Sequence, residues 1–279
     1  MNILYCGDKN ILDGVLISVL SLMEHVHEPL HIHLLTAAIE TQEKNFEPLP
    51  DTFVSFLNRL LKNHHEGSCA KLFDVTELFR EDPPTANLLT RFTPCCMLRL
   101  YADRVRELPS RVLYLDTDVI CCKDPSKFYH QDLYAWQLAG CLDYYGSLFF
   151  RKKLWKRDYL NSGVLLLNMD AIRITELFEK CRKLCKEKTM FMPDQSAINK
   201  LAHRKKICGR QYNEQRKLHK ETVFQHFTTS FRFFPYFHAV SVKPWNIDGM
   251  HNILKLHEYD HILQQYTQEK TNYNEEIFV

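Results

Sequence analysis

The chain lacks any unbroken run of about 18 apolar residues, so no segment has the length of a membrane-spanning helix. It also lacks a Cys-x-x-Cys pair, although it holds ten cysteines. A zinc knuckle is therefore not expected. Two of the cysteine pairs, Cys95-Cys96 and Cys121-Cys122, are adjacent, and others lie within apolar segments. That placement argues against a disulfide framework and predicts buried, reduced thiols. Charge of one sign is missing too: 36 Lys and Arg face 34 Asp and Glu, a net of +2. No global argument for nucleic acid or an anionic membrane survives that balance. There is no internal repeat and no low-complexity linker. The opening Met1-Asn2-Ile3-Leu4-Tyr5-Cys6-Gly7-Asp8 has no basic start and only a short apolar run. It is not expected to act as a secretory leader, and the expected location is cytoplasmic.

The 279 residues are 45% hydrophobic and 25% charged, enough apolar material for one large α/β domain. The expected domain spans residues 1–266, with 267–279 as a loose C-terminal tail. The chain is organised around Val112-Leu113-Tyr114-Leu115-Asp116-Thr117-Asp118-Val119-Ile120. Its apolar run reads as a strand buried on both faces, of the kind found in parallel sheets. Residues i and i+2 of an extended chain point the same way, so Asp116 and Asp118 are expected to project together. Two adjacent carboxylates in a half-buried place repel each other unless a cation lies between them. Hard oxygens favour Mg²⁺ or Mn²⁺. Because ligands of open α/β sheets bind beyond the carboxyl ends of the strands, this stretch reads as a metal-binding mouth. The plainer alternative is a strand followed by a solvated turn.

Along the rest of the chain, strand and helix patterns alternate, which predicts a mostly parallel sheet with helices on its faces. Ile3–Cys6 is a first strand. Asp8 or Asn10 either caps the helix that follows, marked by Leu12, Val15, Leu16, Val19, Leu20 and Met23, or meets a ligand. His31–Thr36 reads as a second strand with its two histidines facing solvent, and Lys71–Val75 as a third. A helix is expected over 91–108, with Arg99 among its apolar residues, where a lone Arg usually snorkels. Strands are expected at Ala135–Cys141, Val164–Asn168 and Thr222–Phe227. Asp170 is placed to cap a helix running to about Lys188, and Asp194 to cap a short one beginning at Pro193. The aromatic stretch Phe231–Phe237 reads either as core or as a platform for a sugar acceptor.

These pieces, in this order, resemble family 8 glycosyltransferases, which include glycogenin and bacterial lipo-oligosaccharide galactosyltransferases. The resemblance spans Met1 to about Trp245. Asp8 and Asn10 look like the family's uridine-binding turn. Arg99, 17 residues before Asp116, is similar in position to an Arg that contacts the donor. Asp116-Thr117-Asp118 resembles the metal motif, and Asp143 an Asp that touches the donor sugar. Asn161-Ser162-Gly163-Val164 resembles the Asn-(Ala/Ser)-Gly-Val strand, Asp194-Gln195 the Asp-Gln against the sugar, and Lys243-Pro244-Trp245 the Lys-Pro-Trp whose Lys meets the diphosphate.

The resemblance implies a GT-A, Rossmann-like fold and a hexose, glucose or galactose, carried by UDP. It also implies Mn²⁺ or Mg²⁺, a glycan or other hydroxyl acceptor, and retention of the anomeric configuration. Gln195, Asp194 and Asp143 are then the residues at the reacting sugar. A third metal ligand is expected from a late-strand His. His226 has the expected setting, a strand ending in His-Phe, though it lies 17 residues before Lys243; His238, five before it, has the nearer spacing. Setting is weighed over spacing, because an inserted loop costs little. Ser196 stands where the lipo-oligosaccharide branch has a further Asp, leaving front-face attack as the simplest mechanism and double displacement through Asp143 or Asp194 as the other. The acidic chain end does not support membrane attachment.

Two rival readings belong to other classes. Haloacid-dehalogenase-like phosphatases also place Asp-x-Asp after a hydrophobic strand, but Ile120 stands where they have Thr or Val, and no downstream acidic pair is evident. A non-catalytic nucleotide-sugar-binding module is the other.

Overall fold

The computed structural model describes residues 1–89, 93–144, 158–232 and 238–277, with the backbone alone for Phe231, Arg232, His238 and Ile277. The aromatic stretch Phe231–Phe237, read as core or as an acceptor platform, falls almost wholly outside them. Thirteen strands are described: β1 (Asn2–Cys6), β2 (His31–Thr36), β3 (Ile39–Glu40), β4 (Asn45–Phe46), β5 (Cys69–Asp74), β6 (Arg111–Leu115), β7 (Val119–Cys121), β8 (Leu138–Leu142), β9 (Leu160–Asn168), β10 (Lys205–Cys208), β11 (Phe224–His226), β12 (Ser230–Arg232) and β13 (His238–Val240). Seven form one sheet in the order β10-β8-β9-β6-β1-β2-β5. All neighbours run parallel except β9, which is antiparallel to both β6 and β8.

Alternation along the strands splits the core in two. Ile3, Tyr5, Leu113, Leu115, Val164 and Leu166 bury one face under α1 (Leu12–His25) and α2 (Asp51–His64). Leu4, Cys6, Val112, Tyr114, Leu165 and Leu167 bury the other under the segments Pro94–Arg104 and Leu177–Glu187. Both faces are covered, which is why these strands read as continuous apolar runs.

Several local expectations are corrected. The segment expected as a helix over 91–108 is a 3₁₀ run, Pro94–Arg104, with Pro94 in its first turn as anticipated. His33 is buried and stacked on Phe73, because β2 is an interior strand with both faces covered. The cap after β9 is Asn168, whose side chain accepts from Ala171 N at 3.1 Å; Asp170 lies inside the first turn. The helix expected to reach Lys188 breaks at Glu176, which adopts φ 55°. Asp194 is not the N-cap, since Pro193 opens that helix and places Asp194 inside the first turn, its carboxylate paired with Arg99. The C-terminal segment, expected to be loose after 266, is helical from Asp260 to Ile277. Tyr273 packs on Phe53 and Phe56 of α2, its hydroxyl 3.2 Å from Thr52 Oγ1, and Lys270 donates to Asp13 of α1 at 2.8 Å. None of the ten cysteines forms a disulfide.

Candidate active site

β9 enters the sheet at the end where β6 and β8 leave it. Leu115 lies opposite Val164, so Asn161-Ser162-Gly163 falls beside the turn after β6, and Asp116 N donates to Gly163 O at 2.8 Å. The turn Asp116–Asp118 then passes the chain from β6 to β7, which leaves the main sheet and pairs antiparallel with β11. That pairing sets His226 opposite Val119, one residue past Asp118. His226 Nε2 lies 3.6 Å from Asp116 Oδ2 and 3.2 Å from Asp118 Oδ1. One ligand atom from each of the three lies within 4.8 Å of the others. Two carboxylates and one imidazole at that spacing suit a small divalent ion. Gly163 makes the approach possible: a Cβ there would stand 2.1 Å from His226 Cε1 and 2.8 Å from Asp116 Oδ2. The His238 side chain lies outside the described residues.

Charge converges on the same place. Lys243 Nζ donates to Asp118 Oδ2, and to Phe227 O at 2.9 Å. Burial alone would raise the Asp118 pKa, but neighbouring positive charge, the Lys243 ammonium foremost, outweighs it and holds the carboxyl well below the usual range. Arg99 is no snorkelling surface residue; it is 4% exposed. Its Nη2 donates to Asp116 Oδ1 at 2.8 Å, its Nη1 to Ser162 O at 2.6 Å, and its Nε lies 3.2 Å from Asp194 Oδ2. The guanidinium lies over the Tyr114 ring, 3.9 Å from its centroid, and the Tyr114 hydroxyl donates to Asp116 Oδ1 at 2.7 Å. Burial raises the Asp194 carboxyl above its ordinary pKa against the pull of Arg99.

A second group lies alongside. Gln195 Oε1 accepts from Ser162 N at 2.9 Å, and its Nε2 donates to Asp143 Oδ2 at 3.1 Å. Asn161 Nδ2 donates to the same Asp143 oxygen at 3.0 Å. Asp8, just beyond β1, accepts from Asn10 N at 3.3 Å and from Asn10 Nδ2 at 2.6 Å, so it does cap the short turn that follows. β1 and β6 are neighbours, which sets this turn beside the Asp116 turn.

Three contributors were not legible in the sequence. Tyr114 reads there as core only. Gly14 of α1 gives room to Thr117 O and the Trp245 ring, which a Cβ would meet at 2.6 and 2.8 Å. Asn213, fully buried before β11, has its Oδ1 3.1 Å from His226 Nδ1. No motif flags Asn213; it is set beside His226 by the bridge between Glu214 and Gln225, where His226 N donates to Glu214 O at 2.8 Å.

The sequence model of glycosyl transferase family 8 matches residues 2–249. The chain belongs to that family. Comparison with curated protein sequences gives no match. Among solved structures, this family 8 chain is similar to LgtC, a galactosyltransferase crystallised with donor and acceptor sugar analogs, at 18% identity and TM-score 0.67, covering 96% of each chain. It is also similar to the bifunctional glycosyltransferase WbbM, at 15% identity and TM-score 0.66, covering 95% of this chain and 51% of that one. The glycosyltransferase GlyE of Streptococcus pneumoniae TIGR4 is similar at 19% identity and TM-score 0.61, covering 96% and 64%. Such identities speak for the fold, which is the GT-A fold. The family 8 chain is thus a nucleotide-sugar-dependent glycosyltransferase. Among the described residues no helix is long and apolar enough to cross a membrane.

Proposed function

We propose that this family 8 protein moves a hexose, glucose or galactose, from UDP to a hydroxyl of a glycan or glycolipid, using Mn²⁺ or Mg²⁺ and retaining the anomeric configuration. The observation that carries the reading is the convergence of Asp116, Asp118 and His226, with Lys243 on the far oxygen of Asp118. Asp116, Asp118 and His226 would hold a divalent ion, which would supply Lewis-acid charge to the leaving diphosphate. The Lys243 ammonium adds a fixed positive charge beside it, an effect worth ~3 kcal/mol of barrier. Asp8 and Asn10, with Thr117 and Arg99 behind the metal turn, form the nucleotide side of the pocket. Asp194, Gln195, Asp143 and Asn161 form the sugar side.

Front-face attack is favoured over double displacement. The Asp194 carboxylate is paired with Arg99, and one Asp143 oxygen is already held by two amides. Both are dulled as nucleophiles. Ser196 offers no carboxylate, and its hydroxyl lies 3.2 Å from the Tyr159 hydroxyl. The departing phosphate then accepts the proton of the incoming hydroxyl, while the Gln195 amide steadies the oxocarbenium-like sugar. The test is UDP release from UDP-glucose and UDP-galactose in Mn²⁺, followed by NMR of the product. An α-linked donor should give an α-linked product. A β-linkage would refute the mechanism, and phosphate release from sugar phosphates without UDP release would return the phosphatase reading. The expected setting is cytoplasmic.

A further inference from the structure

A hydrogen-bond chain runs from the sugar pocket to His226, and its direction is set at one end. Asn161 Oδ1 accepts from Gly163 N at 3.0 Å, and a backbone N–H can only donate. Asn161 Nδ2 donates to Asp143 Oδ2 at 3.0 Å, and a carboxylate can only accept. The Asn161 amide therefore has one orientation. Its neighbour Asn213 must then offer an N–H to Asn161 Oδ1, which it does at 2.9 Å. That leaves the Asn213 oxygen facing His226 Nδ1 at 3.1 Å. An amide oxygen accepts, so Nδ1 carries the proton. Both Asn161 and Asn213 are buried, which denies them water as an alternative partner.

We infer that Asn213 is a positioning residue: it fixes His226 in the Nδ1–H tautomer and turns the Nε2 lone pair toward Asp116 and Asp118. A bare lone pair 3.2 and 3.6 Å from carboxylate oxygens is repelled by them, and a cation among the three removes the conflict. The chain Asp143–Asn161–Asn213–His226 also ties the sugar-side carboxylate to the metal-side imidazole. Turning the Asn161 amide over would turn Asn213 with it and remove the acceptor from Nδ1.

The inference rests on the metal reading given above, so its test has a readout that needs no metal. In the metal-free protein, at a pH where the ring is neutral, ¹⁵N-edited imidazole NMR should show His226 as the Nδ1–H tautomer, its signal identified by its loss in His226→Gln. Mn²⁺ binding without donor, followed by EPR, should weaken ~10- to 100-fold in Asn213→Leu. Asn213→Asp should bind Mn²⁺ at least as tightly as the wild type, because a carboxylate still accepts from Nδ1–H. The same variant cannot donate to Asn161, so its KM for the donor should rise. A merely structural role would penalise both variants alike. An Nε2–H tautomer in the wild type, wild-type affinity in Asn213→Leu, or equal weakening in both variants would overturn the inference. Wild-type protein that binds no Mn²⁺ would sink the metal reading alone, and the tautomer would still be decided by NMR.

Discussion

Replacing Gly163 by alanine is expected to disable the site while leaving the fold in place. The added Cβ would stand 2.1 Å from His226 Cε1, 2.6 Å from His226 Nδ1 and 2.8 Å from Asp116 Oδ2. Carbon atoms rest about 3.5 Å apart, so the ring must withdraw by roughly 1.4 Å. Metal–ligand distances tolerate about 0.2 Å. A displacement of that size takes His226 out of the proposed ligand set, and a misplacement of about 1 Å at an active site costs ~10²-fold in rate. The backbone itself accepts alanine: among the described residues no glycine has positive φ, and Gly163 lies in an extended strand. The overpacking cost is ~1–3 kcal/mol, within the ~5–15 kcal/mol that holds a domain folded. Calorimetric titration with Mn²⁺, UDP release and a thermal melt separate the two effects. A variant that melts a few degrees lower, needs at least ten times more Mn²⁺ and turns over ~10²-fold more slowly is the expected result. A requirement for Mn²⁺ within twofold of the wild type would show that the close approach of Gly163 to His226 has no bearing on the site.

Asp116→Asn and Asp118→Asn should each remove ~10²-fold or more of UDP-hexose turnover, and excess chelator should abolish it; full activity in chelator would contradict metal dependence. His226→Ala should raise the Mn²⁺ needed for half-maximal turnover while His238→Ala leaves it unchanged, and the reverse pattern would move the third ligand to His238. Away from the site, burial, helped by the charges of His31 and Lys71, lowers the His33 pKa from 6.5 to about 4, so the folded state favours the neutral ring. Its stabilising contribution is complete above pH 6.5 and is lost as the pH falls toward 4, a window worth about 3 kcal/mol. Denaturant melts of His33→Phe should therefore lose less stability between pH 6.5 and 4 than the wild type, and parallel curves would refute this.

The parts legible in the sequence are those where chemistry changes abruptly within a few residues. Leu115-Asp116-Thr117-Asp118 turns from core to carboxylates at a strand end, and the structure sets both carboxylates beside one imidazole. What escaped is whatever depends on partners far along the chain. An apolar run such as Val164–Leu167 reads the same in either direction, so the antiparallel insertion of β9 was invisible. Arg99 and Asp194 each had an ordinary local explanation, surface charge and helix cap, and only their 3.2 Å contact replaces both. Alternation suggested solvent at His33 because period-two patterning marks one exposed face only when the sheet has one.

The last helix bears on how the molecule frays. Lys270 and Tyr273 fasten it to Asp13 and to Phe53 and Phe56. Asp13 adjoins Gly14, the residue against which the Thr117 carbonyl rests between the two carboxylates. Local opening of residues 267–277 would therefore loosen the first turn of α1 and, with it, the backbone that spaces Asp116 from Asp118. Amide exchange at the far end of the chain and at that turn should then rise and fall together, as one cooperative unit rather than two.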